Sequence, residues 1–175
     1  MKCIKKLVAI TLAAVLALTM LTACGGSGAQ LNTKLSDDIA ATVNSVRSDN
    51  KKAALKRAPE VEALFAEVAK AEAMFAADMS DANTQKVVEA QKNALSALGN
   101  VEIDGRKVDA KATSKLFTIS CDLKDVSRLK SALETTGIWR DDFVLSNAEY
   151  LAAVCADYNG HNGIVIVGIV LESAE

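Results

Sequence analysis

Hydrophobic residues recur at helical spacing through the first half of the chain, over residues 36–99. Ser36 is predicted to cap a first helix, and Pro59, the only proline, stands where a second helix tolerates it as first residue. Residues 80–81 begin a third helix, which Gly99 ends. Because the connections are short, the pattern predicts antiparallel neighbours, either a helical hairpin or a three-helix unit.

The pattern changes at residue 101. The predicted elements, in chain order, are a hairpin at 101–108, a strand at 115–121, a helix at 126–136, a helix at 146–158 that Asn159-Gly160 ends, and a strand at 164–171. Asp104-Gly105 is typical of a hairpin turn, and Ser146-Asn147-Ala148-Glu149 matches a capping box that opens the second helix. The last run is rich in Val and Ile and favours a strand buried on both faces.

These elements predict an α+β fold class. An Ala-rich antiparallel helical segment over residues 36–99 precedes a small α+β domain over residues 100–175, in which the C-terminal strand is central and buried.

A positively charged segment opens the chain, and an apolar run from Leu7 to Leu21 follows it. The run is short for a spanning helix, which needs about 20 apolar residues. A positive start, an apolar middle and small residues at the end are typical of a secretory signal peptide. The residues at its end, Leu21-Thr22-Ala23-Cys24, resemble the lipobox of bacterial lipoproteins.

This resemblance implies cleavage before Cys24 and a diacylglyceryl thioether on that cysteine. Residues 1–23 would then be the signal peptide, and residues 24–35 a lipid-anchored tether made flexible by small residues at 25–30. It also implies a position outside the cytoplasm, on the cell surface in a host with one membrane or on the periplasmic face in a host with two. The alternative is an uncleaved membrane helix that ends at an ordinary cysteine.

Charge bears on the class of partner. Removing Lys2, Lys5 and Lys6 from the 20 basic residues leaves 17 against 22 acidic ones, a net charge of −5. Such a surface disfavours nucleic acid, which needs a basic footprint. No phosphate-binding loop, dinucleotide motif, nucleophile elbow or Cys-x-x-Cys pair is present, so the sequence gives no sign of a cofactor.

Two cysteines remain after the signal peptide and the lipid are accounted for, Cys121 and Cys155. An even pair in an exported domain favours a disulfide. If the strand ending at residue 121 is followed by two helices of opposite direction, Cys155 returns to the level of Cys121. The alternative is two buried thiols that never meet.

Two other positions are candidates for function. His161 is the only histidine, and without a spaced partner it cannot build a usual zinc site, so a polar turn residue is the favoured interpretation and no metal is predicted. Trp139 and Arg140 could form an interaction loop, because both residue types are enriched at interfaces. The competing interpretation is that Trp139 and Phe143 pin a connection onto the core.

The leading hypothesis is a non-catalytic binding or scaffolding module of the cell envelope, held by lipid on Cys24, with an envelope protein as partner. The alternatives are a small envelope enzyme with a thiol and histidine site near Cys121 and His161, or a small-ligand-binding lipoprotein.

Overall fold

The computed structural model describes residues 28–120, 126–135, 137 and 139–173, and it has an α+β fold. One antiparallel sheet has the strand order β1-β6-β7-β5, and the short strand β2 pairs in parallel with β6. The strands are β1 (Gln30–Leu31), β2 (Lys56–Arg57), β3 (Glu102–Ile103), β4 (Arg106–Lys107), β5 (Ser114–Ser120), β6 (Tyr150–Tyr158) and β7 (His161–Ile169). The helices are α1 (Thr33–Asp49), α2 (Pro59–Ala77), α3 (Asp81–Leu98) and α4 (Ser127–Glu134), with a π-helical turn at Arg140–Val144.

Local sequence signals account for most helix and hairpin boundaries. Pro59 is the first residue of α2, and the Ser80 side chain caps α3 by accepting from the Asn83 backbone nitrogen. The β3–β4 hairpin turns at Asp104 and Gly105, whose φ angles of 51° and 79° suit the Asp-Gly pair. The hairpin, the strand β5 and the helix α4 confirm the predictions made for residues 101–136.

Helices cover both faces of the sheet, so the molecule has three layers and two cores. On one face α2 packs against the even-numbered residues of β6 and the odd-numbered residues of β7, including Val154 and Val165. On the other face α1, α4 and the π-helical turn pack against the remaining positions, including Cys155 and Ile166. β6 and β7 are therefore buried on both faces, as predicted for the last strand.

The predicted helix at 146–158 is wrong, because residues 150–158 form β6. Every side chain from Tyr150 to Ala156 is buried, in alternation between the two cores. The alanines at positions 152, 153 and 156 leave room for helices on both faces. No capping box forms, and the Ser146 hydroxyl has no hydrogen-bond partner among the described residues. Tertiary packing has overridden helix propensity here.

The first half of the chain contains three helices, of which α2 and α3 form a helical hairpin. α2 and α3 run antiparallel, with Asn83 near Met74 and Gln91 near Glu72. α1 lies on the opposite face of the sheet, because β2 carries the chain across the sheet edge between α1 and α2. The helical segment over 36–99 thus shares its cores with the strands of residues 100–175.

The folded body begins earlier than predicted. α1 starts at Thr33 rather than after Ser36, because the Asn32 side chain accepts from the Leu35 nitrogen at 3.0 Å. Gln30–Leu31 pairs with β6. The tether predicted over 24–35 therefore ends at about residue 29, while Cys24 itself lies outside the described residues.

Candidate functional site

Cys155 lies inside the core between α1 and the sheet and has no exposed surface. Its Sγ has polar neighbours only at 3.7 Å (Asn162 Oδ1) and 3.8 Å (Ala156 O). Burial, and to a smaller degree the charge of Asp157, raises the pKa of the thiol to about 12. A nucleophilic cysteine needs a lowered pKa and access to substrate, so this environment disfavours catalysis by Cys155.

His161 lies on the other face of the sheet. It pairs with Tyr158 beside the tight turn made by Asn159 and Gly160, as the turn interpretation predicted. Strand alternation places it on the face of Gly163, which meets α2. The sheet therefore separates His161 from the Cys155 thiol, and the two do not form a nucleophile–base pair.

The predicted disulfide is not present at Cys155, which is a free thiol. Cys121 lies outside the described residues. The argument for the bridge assumed that residues 146–158 climb as a helix, whereas residues 150–158 are a strand, so its geometric basis is gone.

Trp139 and Arg140 belong to the connection that closes over α1. Trp139 packs against the core on that face, and Phe143 is buried within it. Arg140 donates to Asn50 Oδ1 at 2.7 Å and to the Glu134 carbonyl at 3.3 Å. These contacts favour the structural interpretation over an interaction loop.

A buried arginine also binds the connection that contains Trp139 and Arg140. Arg47, on α1, donates through Nη1 to the carbonyl oxygens of Phe143 and Val144, each at 3.0 Å. Its side chain is buried, and this burial lowers its pKa. Sequence reasoning did not single out Arg47, because the carbonyls it binds lie almost a hundred residues away.

A polar cleft of about 720 Å³ lies beside the start of α1. Its walls include Asn32, Lys34, Asp157 and Tyr158. The Lys34 amine already binds Asp38 at 2.6 Å, and the Asn32 side chain caps the helix. The cleft is open and mostly polar, whereas small-molecule sites are usually enclosed and largely apolar.

One long edge of the sheet is covered. Between β1 and β2, the outward backbone groups of β6 bind side chains instead of a strand, except for the Cys155 carbonyl, which accepts from the Asn32 backbone nitrogen at 2.8 Å. The Cys155 nitrogen donates to Ser36 Oγ at 2.9 Å, and Arg57 donates to the Ala153 carbonyl at 3.3 Å. Glu62 accepts from Ala153 N at 3.5 Å and also pairs with Arg57. We call residues 151–157 of β6, with these partners, the guarded edge.

The other long edge is β5. In β6, the backbone N–H and C=O groups of odd-numbered residues point outward, to the guarded edge. Those of even-numbered residues therefore form the hydrogen bonds to β7. Antiparallel alternation then directs the even-numbered residues of β5 towards β7 and the odd-numbered ones outward. The outward groups are the N–H and C=O of Lys115, Phe117 and Ile119, which we call the open edge. Within the described part of the chain, β7 is the only strand paired with β5.

Neither edge was recognised as a feature of interest from the sequence. The strand at 115–121 was predicted, but a sequence does not show which strand of a sheet lies last. The guarded edge depends on contacts between Ser36, Arg57 and Glu62 and a strand about a hundred residues later.

Over the described residues, no group of three or more acidic, histidine or cysteine side chains could hold a metal ion. No helix there is both long and apolar enough to cross a membrane. Comparison of the chain with protein-family models, with curated proteins and with solved structures found no match.

Proposed function

We propose that this chain is a lipoprotein that acts outside the cytoplasm as a non-catalytic binding or scaffolding module of the cell envelope. The lipobox resemblance at residues 21–24 supports the anchor. Two acyl chains on Cys24 would hold firmly where a single chain binds reversibly. With folded structure from Gln30, the body would stay within about 20 Å of the bilayer, at roughly 3.3–3.6 Å per residue.

The observation that carries the binding role is the open edge. Unpaired strand edges are templates for another polypeptide, and proteins usually protect them. This chain protects the edge at β6 with side chains from three separate elements, whereas no described strand pairs with the outward side of β5. An edge of this kind favours binding to protein over chemistry on a small substrate.

The anchor is tested by replacing Cys24 with Ala and fractionating cells. We expect the variant to leave the membrane, while a Cys3→Ala variant, changed inside the signal segment, stays there. Mass spectrometry of the wild-type N-terminal peptide should find the lipid on Cys24. A Cys24→Ala protein that remains membrane-bound at the wild-type level would contradict the anchor.

The binding role is tested by photo-crosslinking in cells. A photoreactive residue at Lys111, exposed just before β5, is compared with one at Lys92, exposed on α3. We expect a reproducible protein adduct from position 111 and none from position 92. Turnover of a substrate by the purified protein, lost on single polar replacements, would contradict a non-catalytic role.

A further inference from the structure

We propose that Asn159 is a site of covalent modification, where the side-chain amide is lost and an acidic residue takes its place. The chain contains two Asn-Gly pairs, Asn159-Gly160 and Asn162-Gly163, and the fold exposes the first while it buries the second. The reaction consumes water and needs no other reactant. It goes beyond the proposed binding role and depends on neither the lipid nor the open edge.

The nucleophile is the backbone nitrogen that follows the asparagine. The Gly160 nitrogen gives its proton to a base in the solvent and attacks Asn159 Cγ, so that a C–N bond forms and an imide ring closes. The Cγ–Nδ2 bond breaks, and the amide nitrogen leaves as ammonia. Water then adds to one ring carbonyl and opens the ring to aspartate, or adds to the other and opens it to isoaspartate. No electrons are transferred to or from another molecule.

Asn159 and Gly160 are both exposed, at the tip of the hairpin that joins β6 to β7. Glycine has no Cβ to hinder the approach, and a Cβ built on Gly160 would meet no described atom within 4 Å. The Gly160 N–H donates to Asp157 Oδ1 at 3.4 Å, which is longer than a usual hydrogen bond. Among the described residues, no hydrogen bond holds the Asn159 side chain. The two reacting groups are therefore weakly restrained.

The turn itself controls when they meet. Asn159 and Gly160 have φ angles of 54° and 82°, as a two-residue type I′ turn requires. Reacting atoms must come to about 3–3.5 Å before a bond can form, so the reaction proceeds when the turn opens. Loop tips open at a small free energy, whereas central strands open only near the free energy of global unfolding.

The pair Asn162-Gly163 has the same chemistry in closed surroundings. Asn162 is 8% exposed, and its Oδ1 lies 3.7 Å from Cys155 Sγ in the core. Gly163 lies opposite Ala156, at a hydrogen-bonded position of β6 and β7, and it meets the backbone of α2. Reaction there requires the central strands to separate. The fold thus selects Asn159 over Asn162.

The product changes the polar cleft beside the start of α1. Asn159 lines this cleft together with Lys34 and Asp157. Loss of the amide adds a carboxylate to a wall that already contains one from Asp157, so the cleft becomes more acidic. Isoaspartate also adds a methylene to the main chain of a turn that fits two residues, because hairpin geometry depends on loop length.

The test uses the full chain, purified from membranes in detergent, incubated in mildly alkaline buffer and sampled over time. Trypsin leaves both Asn-Gly pairs in one peptide, residues 141–175, because no Lys or Arg follows Arg140. Fragment ions of this peptide report both positions under identical conditions, and digestion in heavy-oxygen water marks any conversion during preparation. We expect Asn159 to convert at least about tenfold faster than Asn162, which corresponds to a difference of about 1.4 kcal/mol in the free energy of opening.

Two matched controls separate the fold from the dipeptide. In denaturant the same chain should convert at both positions at similar rates, because each asparagine is followed by glycine. Asn159→Gly removes the reactive amide and keeps the turn, since Gly-Gly also suits type I′. After equal incubation, ion-exchange chromatography should show a new acidic form of the wild type that Asn159→Gly lacks.

Faster conversion at Asn159 in the folded chain, with the difference lost in denaturant, supports the proposal. A ratio below about tenfold in the folded chain overturns it. A folded chain in which neither position converts while the denatured chain does so also overturns it. An acidic form that appears equally in Asn159→Gly would assign the change to another residue and overturn the proposal as well.

Discussion

The guarded edge and the open edge belong to the same sheet, two strands apart, and the chain treats them in opposite ways. At the guarded edge, outward groups of β6 meet β1, β2 and the side chains of Ser36, Arg57 and Glu62. At the open edge, the described residues supply no strand beyond β5. Leaving a buried backbone group unpaired costs more than a made hydrogen bond contributes, so the first edge has to be satisfied.

The difference follows from what covers each edge. The helices α1 and α2 both begin beside β6, on opposite faces of the sheet, and the chain that links them crosses that edge. At this crossing, side chains of Ser36, Arg57 and Glu62 bind the outward groups of β6. β5 is held at its centre by Phe117, which packs on α2, and by Leu116, which packs against the core on the opposite face, and no described strand pairs with its outward side. The comparison indicates that side-chain hydrogen bonds accompany the edge that the chain crosses.

The largest effect is expected from Gly163→Ala, which disturbs β7, the strand between the two edge strands. A Cβ at Gly163 would lie well inside van der Waals distance of the Ala69 carbonyl oxygen and the Ala73 nitrogen of α2. Because both are backbone atoms, α2 must shift, and we expect a loss of about 3 kcal/mol or more in the free energy of unfolding. Denaturant unfolding measures it.

Gly168→Ala is the matched control for that variant. It lies on the same strand, and its nearest non-bonded atoms would be the Asp142 carbonyl oxygen and Phe143 Cδ1 at 3.4 Å. We expect a change below about 1 kcal/mol, because contacts at that distance need only small adjustment. Equal losses at Gly163 and Gly168 would contradict the close packing of α2 on β7.

Arg57→Ala breaks the guarded edge at its ion pair. Arg57 binds Glu62, Asp37 and the Ala153 carbonyl, and the hydrogen bond from Arg57 to Glu62 is the main cause of its raised pKa. Its side chain is one-third exposed, so solvent screens the pair, and we expect a loss of about 1–2 kcal/mol. Lys34→Ala, which removes a fully surface pair, should change stability by less than about 0.5 kcal/mol. If Lys34→Ala lost as much free energy of unfolding as Arg57→Ala, the Arg57 contacts at the guarded edge would contribute no more than an ordinary surface ion pair.

Sequence reasoning worked best where a signal was local. Pro59, Ser80 and the Asp104-Gly105 turn each act within a few residues, and the elements they begin or join were predicted correctly. The Val- and Ile-rich run before Leu171 was also identified as a central strand, because a strand buried on both faces is apolar at nearly every position.

It failed where a local signal had two interpretations. Asn159-Gly160 was interpreted as the end of a helix, although the same dipeptide between two apolar runs is the strongest short-range hairpin signal. The alanines of residues 150–158 and the apparent capping box before them favoured the helix. Only the packing of helices on both faces explains why small residues fill a central strand.

The edges could not be predicted because they depend on strand order and on distant partners. Ser36 was interpreted as a helix cap, yet its hydroxyl accepts from Cys155, 119 residues later. The same lack of long-range information left the position of α1 on the opposite face of the sheet unpredicted and led to the disulfide proposed for Cys155.

Ser36→Ala opens the guarded edge at one hydrogen bond. The change leaves the Cys155 N–H without its acceptor and removes the bond to the Asn32 carbonyl. We expect a loss of about 1 kcal/mol in the free energy of unfolding and faster hydrogen exchange at the Cys155 amide. Ser45→Ala, at an exposed position of the same helix, serves as the control. Unchanged exchange at Cys155 would show that the edge is guarded by something other than this hydroxyl.

The smallest effect concerns Glu72, a buried acid on α2. It lies against Gly163 of β7, the strand between the two edge strands. Burial raises the pKa of Glu72, and the hydrogen bond from Gln91 at 2.8 Å lowers it by less. A carboxyl with a raised pKa in the folded state favours folding below its ordinary value of 4.5, and that contribution is lost as pH rises through the folded pKa. Glu72→Gln cannot ionise and keeps an acceptor for Gln91. The free energy of unfolding of the variant, relative to that of the wild type, should therefore increase as pH rises from about 4.5, by up to about 1 kcal/mol near pH 7.

Unfolding curves at a series of pH values measure this difference, with Glu67→Gln, at an exposed position, as the control. A gain that does not depend on pH would assign the effect to packing, and a loss would mean that the carboxylate is needed where it lies. Because neither edge contains Glu72, both should keep their hydrogen-exchange pattern throughout the titration.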